Sequence, residues 1–201
     1  YCFESTPCAL VVKKDSPFKT LDDFIAFAKK NPGAVTLGGS GSWTANHLGT
    51  IELEKAAGVK LTYIPFTGSG SATPALLGGH VTGLMTYTTM AAQQLDKFRI
   101  LAVAAPKRSA VFPDAPTFQE LGYDIVEGAY RGVSVPPNTP DNIVKILADA
   151  FEKVNKNPEF AKKMAELAFD LEFMGPAEYT KFIQTRKAYY TDLLKDMDIK
   201  Q

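Results

Sequence analysis

The sequence predicts an α/β chain with a helical tail, and three observations predict it. Short apolar runs alternate with amphipathic stretches from residue 9 to residue 105. Turns of small residues separate them, and after Pro136, Pro137 and Pro140 the pattern becomes almost entirely helical.

Taken in order, "ALVVKK" (9–14) reads as a strand. A helix from about Thr20 to Lys30 follows, with Leu21, Phe24, Ile25 and Phe27 spaced for one face and Gly33 beyond its end. Strand 35–38, helix 44–57, strand 61–66, short helix 71–78, strand 81–86 and helix 89–95 continue the alternation. "RILAVAA" (99–105) has the near-continuous apolar run of a parallel strand covered on both faces. A proline-rich loop and a short helix ending near Gly122 lead to an extended segment, 125–140. Helices at 141–155, 158–168 and 176–197 follow, with the short strand "LEFM" among them. A lobe boundary is expected near 130–137, dividing an α/β lobe (9–130) from C-terminal helices (131–201).

Composition narrows the function. Apolar residues make up 45% and charged residues 22%, as in ordinary globular proteins. Lys+Arg and Asp+Glu both total 22, so no global basic field exists to attract nucleic acid, and no polybasic run marks a membrane surface. No apolar run reaches the roughly 18–20 residues of a membrane-spanning helix. Cys2 and Cys8 would lie roughly 20 Å apart on an extended chain, beyond disulfide reach unless Ser5-Thr6-Pro7 turns. One buried and one terminal thiol is the expectation. Two histidines and no Cys-x-x-Cys speak against a zinc site.

Three strand-to-helix turns carry small polar residues: "GGSGSWT" (38–44), "PFTGSGS" (65–71) and "TYTTM" (86–90). In a parallel sheet they share one edge, where helix N-termini offer unpaired N–H groups to an oxyanion without any Lys or Arg. The candidate ligand contacts are Ser40, Gly41, Ser42, Trp43 and Thr44 of the first turn, with His47, on the helix after it, close by. Phe66, Thr67, Gly68 and Ser69 come from the second, and Thr86, Tyr87 and Thr88 from the third. Arg131 reads as a salt-bridge residue first and a ligand clamp second. Trp43 or Phe66 would wall the apolar part of the ligand.

Enzyme motifs fit poorly. The first turn lacks the third glycine of a dinucleotide fingerprint, and neither Gly/Ser turn has the G-K-[ST] of a P-loop. A hydrolase would need Ser40 or Ser42 within reach of His47, itself oriented by a carboxylate. No catalytic residue, cofactor or metal is expected. An effector-sensing regulatory domain of two-lobe architecture is the alternative.

The motif series closely resembles the solute-binding proteins of tripartite tricarboxylate transporters, the Bug family. The resemblance rests on the D-S-P-F-K-T-L-D run (Asp15–Asp22) and the glycine-serine turn leading to H-L (Gly38–Leu48). It also rests on the turns at Ile64–Ser69, Leu76–Val81 and Lys107–Thr117. It implies a periplasmic, type II-like binding protein of two α/β lobes that captures a small organic anion and delivers it to membrane permease subunits. The cationless turns point to a mono- or dicarboxylate. It further implies that the first third of such a protein, with its signal peptide, is not in this chain. The C-terminal helices, normally packed on that portion, would expose apolar faces and could self-associate.

Overall fold

The computed structural model describes residues 1–109, 111–195 and 197. They form two compact units: Thr6–Ala129 with Leu167–Phe169, and Tyr1–Ser5 with Tyr130–Glu166 and the chain from Asp170 onward.

The first of these units holds a sheet in the order β3-β2-β4-β1-β5. Strand β2 (Thr36–Gly39) runs parallel to both β3 (Thr62–Pro65) and β4 (Gly83–Tyr87). Strand β1 (Cys2–Lys13) is antiparallel to β4 and to β5 (Phe98–Val103). The parallel assignment of "RILAVAA" is therefore corrected. Its apolar run reflects burial on both faces, Leu101 and Ala102 in one core cluster and Phe98 and Val103 in the other, and carries no information on strand direction.

Helices cover both faces. Helix α1 (Leu21–Lys30) opens with a capping box: the Asp23 N–H donates to Thr20 Oγ1 (3.1 Å), and the Thr20 N–H donates to Asp23 Oδ2 (3.0 Å). Helix α2 (Ala45–Ala57) ends at Gly58, whose φ of 62° suits a residue without Cβ. Leu21, Phe24, Leu53 and Ala57 from these two helices pack with Leu10, Leu37 and Met85. On the opposite face, α3 (Ser69–Leu77) and α4 (Thr88–Ala92) bring Ala72, Leu76 and Ala91 against Val11, Leu84 and Val103.

Two expected helices are smaller than their patterns. The one at 89–95 is the short α4. The one before Gly122 is only a run of turns: Thr117 and Glu120 exchange helix-starting hydrogen bonds (2.8 and 3.1 Å), but Gly122 at φ 87° turns the chain away.

In the second unit, residues Cys2–Ser5 of β1 pair antiparallel with β7 (Asp170–Met174). Strand β6 (Gly128–Gly132) also pairs β1. The first strand thus begins seven residues before the expected Ala9, which buries Cys2. Both cysteines are free, as expected of one buried and one terminal thiol, and the terminal Cys2 is buried too; a continuous strand holds them apart. Helices α5 (Asp141–Asn155), α6 (Pro158–Glu166) and α7 (Pro176–Leu193) complete the unit; the last two stop short of the expected 168 and 197. Tyr1 packs against Phe151 and Phe173, with ring centroids 5.6 and 5.0 Å away. Among the described residues no side chain of α5 or α6 is buried, and Ile143, Ile146, Leu147 and Val154 leave an apolar face of α5 exposed. No described helix is long and apolar enough to cross a membrane.

Candidate functional site

Parallel pairing brings the carboxyl ends of β3, β2 and β4 to one edge of the sheet, so the loops after Pro65, Gly39 and Tyr87 are neighbours. Helix α2 leaves toward one face and α3 toward the other. The two intervening loops consequently part, which opens a crevice at a topological switch point.

The loop after β2 is held by side chains from outside itself. Gly38 and Gly39 are strand residues whose missing Cβ atoms make room for neighbours. A Cβ on Gly38 would lie 2.9 Å from the Phe66 ring, and one on Gly39 2.3 Å from the Tyr63 hydroxyl. The Ser40 N–H donates to Oδ1 of buried Asn46 (3.1 Å), and Asn46 Nδ2 contacts Cys8 Sγ at 3.4 Å. The Tyr63 hydroxyl donates to the Gly41 carbonyl (2.9 Å), as does the Thr44 hydroxyl (3.0 Å). The Trp43 N–H donates to His47 Nδ1 (3.1 Å). The His47 ring stacks on Tyr63 at 4.3 Å and meets Trp43 at 5.1 Å. Burial pushes the His47 pKa below its ordinary value and the Tyr63 pKa up to about 12, so both rings are uncharged at neutral pH.

With the Ser40 and Trp43 amides committed, those of Gly41, Ser42 and Thr44 have no protein partner among the described residues. Trp43 takes φ 60°, a strained value for a bulky residue, and its side chain stays 44% exposed at the rim. The loop after β3 is simpler. Phe66 is tied to the sheet through its N–H to the Gly39 carbonyl (2.9 Å), and its ring packs on the α3-side core. Beyond it, Thr67 and Ser71 share a hydroxyl contact of 3.1 Å, and the Ser71 hydroxyl donates to the Gly68 carbonyl (2.9 Å). The amides of Thr67, Gly68 and Ser69 are without protein partners among the described residues. What assembles here is a set of backbone N–H groups at the starts of α2 and α3, edged by aromatic rings and free of cationic side chains. Such a set suits an oxyanion.

Residues 2–199 match the family described as the tripartite tricarboxylate transporter family receptor. The chain belongs to this family. A UPF0065 protein from the gbd 5' region of Cupriavidus necator is 39% identical over 174 residues, covering 86% of this chain and 53% of that protein. The chain thus spans about half that relative's length. A TctC solute binding protein from Polaromonas is 27% identical and superposes with a TM-score of 0.85, over 98% of this chain and 68% of that one. The periplasmic binding protein BugD is also 27% identical, with a TM-score of 0.80 over 96% of this chain and 67% of its own. The expected fold class is therefore correct: an α/β fold of the family's periplasmic binding proteins.

The structure of this family member sorts the remaining candidates. Thr86 and Thr88 are buried, their hydroxyls without a hydrogen bond among the described residues; Tyr87 between them is half-buried. Arg131 lies in the other unit, where its guanidinium pairs with the buried carboxylate of Glu4. Among the described residues no serine hydroxyl is hydrogen-bonded to an imidazole, and His47 Nδ1 is occupied by the backbone. No described group of His, Cys, Asp and Glu could hold a metal ion.

Sequence reasoning missed Asn46 and Tyr63, which brace the loop after β2. Tyr63 left only a partial signal: Gly39 reports a large neighbour, but the register of β2 with β3 decides that Tyr63 fills that space. Asn46 carried only its place in the first turn of α2, where side-chain acceptors meet backbone N–H groups.

Proposed function

We propose that this chain carries the ligand-binding lobe of an extracytoplasmic receptor that captures a small organic carboxylate, mono- or dicarboxylate, for a tripartite tricarboxylate-type transporter. The observation that carries this is the crevice where α2 and α3 start toward opposite faces, with unpaired amides on both sides and no Lys or Arg. A carboxylate replaces water at the amides of Gly41, Ser42 and Thr44 and of Thr67, Gly68 and Ser69. Each charge-assisted bond to a fixed donor contributes about 1.5–3 kcal/mol. Trp43 and Phe66 flank the ligand's apolar body. Neutral donors neutralise no second or third charge, so a tricarboxylate gains least. Arg131 is left out of this site because its guanidinium is committed to Glu4.

In this reading residues 9–130 are one lobe of a periplasmic receptor, and 131–201 belong to the other. The exposed apolar face of α5 is covered in the whole receptor by the rest of that lobe. In isolation it drives self-association. The receptor hands its ligand to permease subunits and needs no cofactor.

The test is calorimetric titration of the whole receptor and of this chain with matched mono-, di- and tricarboxylates. The reading expects saturable binding of a mono- or dicarboxylate by the whole receptor, weakened at least about tenfold by Ser42→Trp or Thr67→Trp. Tight binding of a tricarboxylate alone, or binding that survives both substitutions, overturns it.

A further inference from the structure

The loop after β2 is fixed through a single imidazole, in a way that ties it to a proton. Helix α2 starts at Ala45, so His47 is its third residue, the position from which a Glu or Gln side chain reaches back in a capping box. Here the side chain reaches one residue further, to the Trp43 N–H at 3.1 Å, and it does so through Nδ1. That nitrogen accepts only when it carries no proton.

Trp43 sits at φ 60°, a conformation a tryptophan holds only if its surroundings over-determine it. The His47 acceptor supplies one such constraint. The Tyr63 ring, 4.3 Å from the imidazole, supplies another through its hydroxyl on the Gly41 carbonyl. We propose that His47 is a positioning residue for the anion loop and works as a proton-operated latch: a proton on Nδ1 removes the acceptor of the Trp43 N–H and releases the loop. The bearing on ligand capture rests on the receptor reading above; the latch itself does not.

The groups facing the imidazole are the Trp43 ring from the loop and the Tyr63 phenol from β3. Among the described residues the cause of its depressed value is burial. Burial disfavours the imidazolium, so the latch stays closed at neutral pH and opens only below the ordinary histidine value of 6.5. For the whole receptor this means weaker capture in acid than at neutral pH, without any titratable group touching the ligand.

Trp43 is the chain's single tryptophan, so its emission reports on the loop without a label. The experiment follows that emission from about pH 8 to about pH 4, with amide hydrogen exchange of Trp43 alongside and no ligand present. The wild-type chain is expected to show a transition with a midpoint below 6.5. His47→Asn keeps an acceptor near Nδ1 but cannot titrate, so it should keep Trp43 amide protection and lose the transition. His47→Phe keeps a ring on Tyr63 without an acceptor. It should lower Trp43 protection about tenfold at neutral pH, the equivalent of one lost hydrogen bond. A transition that persists in His47→Asn, a midpoint at or above 6.5, or full Trp43 protection in His47→Phe each overturns the latch. If His47→Phe does not fold, the presence or absence of the transition in His47→Asn decides. Because no ligand enters, failure here leaves the receptor reading standing, and failure of the carboxylate titrations leaves the latch standing.

Discussion

The loops after β2 and β3 begin alike, as small-residue turns entering a helix, yet they are held in different ways. The first is fastened by Asn46, His47 and Tyr63, none of which belongs to the turn. The second, past Phe66, is closed by its own Thr67 and Ser71 hydroxyls, and a Cβ on Gly68 or Gly70 would meet nothing. One side of the crevice is thus a fixed set of donors, and the other is free to adjust. Two similar sequences can supply a rigid half and an adaptable half of one site, because the rigidity comes from side chains outside the turn.

The largest effect is expected from Gly39. Its Cβ would meet the Tyr63 hydroxyl at 2.3 Å and Asn46 Cβ at 2.9 Å, so Gly39→Val forces both braces aside. It should cost about 2–3 kcal/mol in urea denaturation, whereas Gly68→Ala should stay within about 0.5 kcal/mol. Equal costs would remove the contrast between the loops. Next comes Asn46→Leu, which strands the Ser40 N–H beside an apolar side chain. A loss of about 1–3 kcal/mol is expected in the same assay.

Tyr63→Phe removes the hydroxyl from the Gly41 carbonyl, for about 1 kcal/mol at neutral pH. It also sharpens the comparison at high pH. The folded-state value, about 12, exceeds the ordinary 10.0, so the folded chain holds the phenol proton more tightly than the unfolded one does. The stability this contributes is complete below about 10 and is lost as pH rises through about 12, and Tyr63→Phe should flatten that part of the curve. Tyr1, also raised to about 12, is expected to leave a residual slope.

The smallest effect concerns His47. Its folded-state value is depressed, so between that value and the unfolded 6.5 the unfolded chain binds more protons. Stability therefore falls as pH drops through this window, and His47→Asn should remove the dependence, a difference readable as a shift in Tm. A wild-type curve that is flat below neutral pH would contradict the depressed value.

The two units separate what each level of description decides. The order of elements through β5 and α7 was legible, because apolar spacing reflects burial and the capping Thr20 and Gly58 are local signals. The Gly/Ser turns that form the crevice were legible for the same reason. Strand direction was not: "RILAVAA" is buried on both faces in an antiparallel pairing as fully as it would be in a parallel one. Nor was the run of turns before Gly122, where a sound helix start is cut off by one residue at positive φ. By itself the sequence determined which segments are strands or helices and that the turns after β2, β3 and β4 hold no cation, since both depend on near neighbours along the chain. Only the tertiary structure decided that Asn46, His47 and Tyr63 fasten one loop and leave the other loose. The Tyr63 bond joins residues brought together by the parallel pairing of β2 and β3, a contact that local spacing does not encode, while those of Asn46 and His47 depend on how the loop folds back over the start of α2.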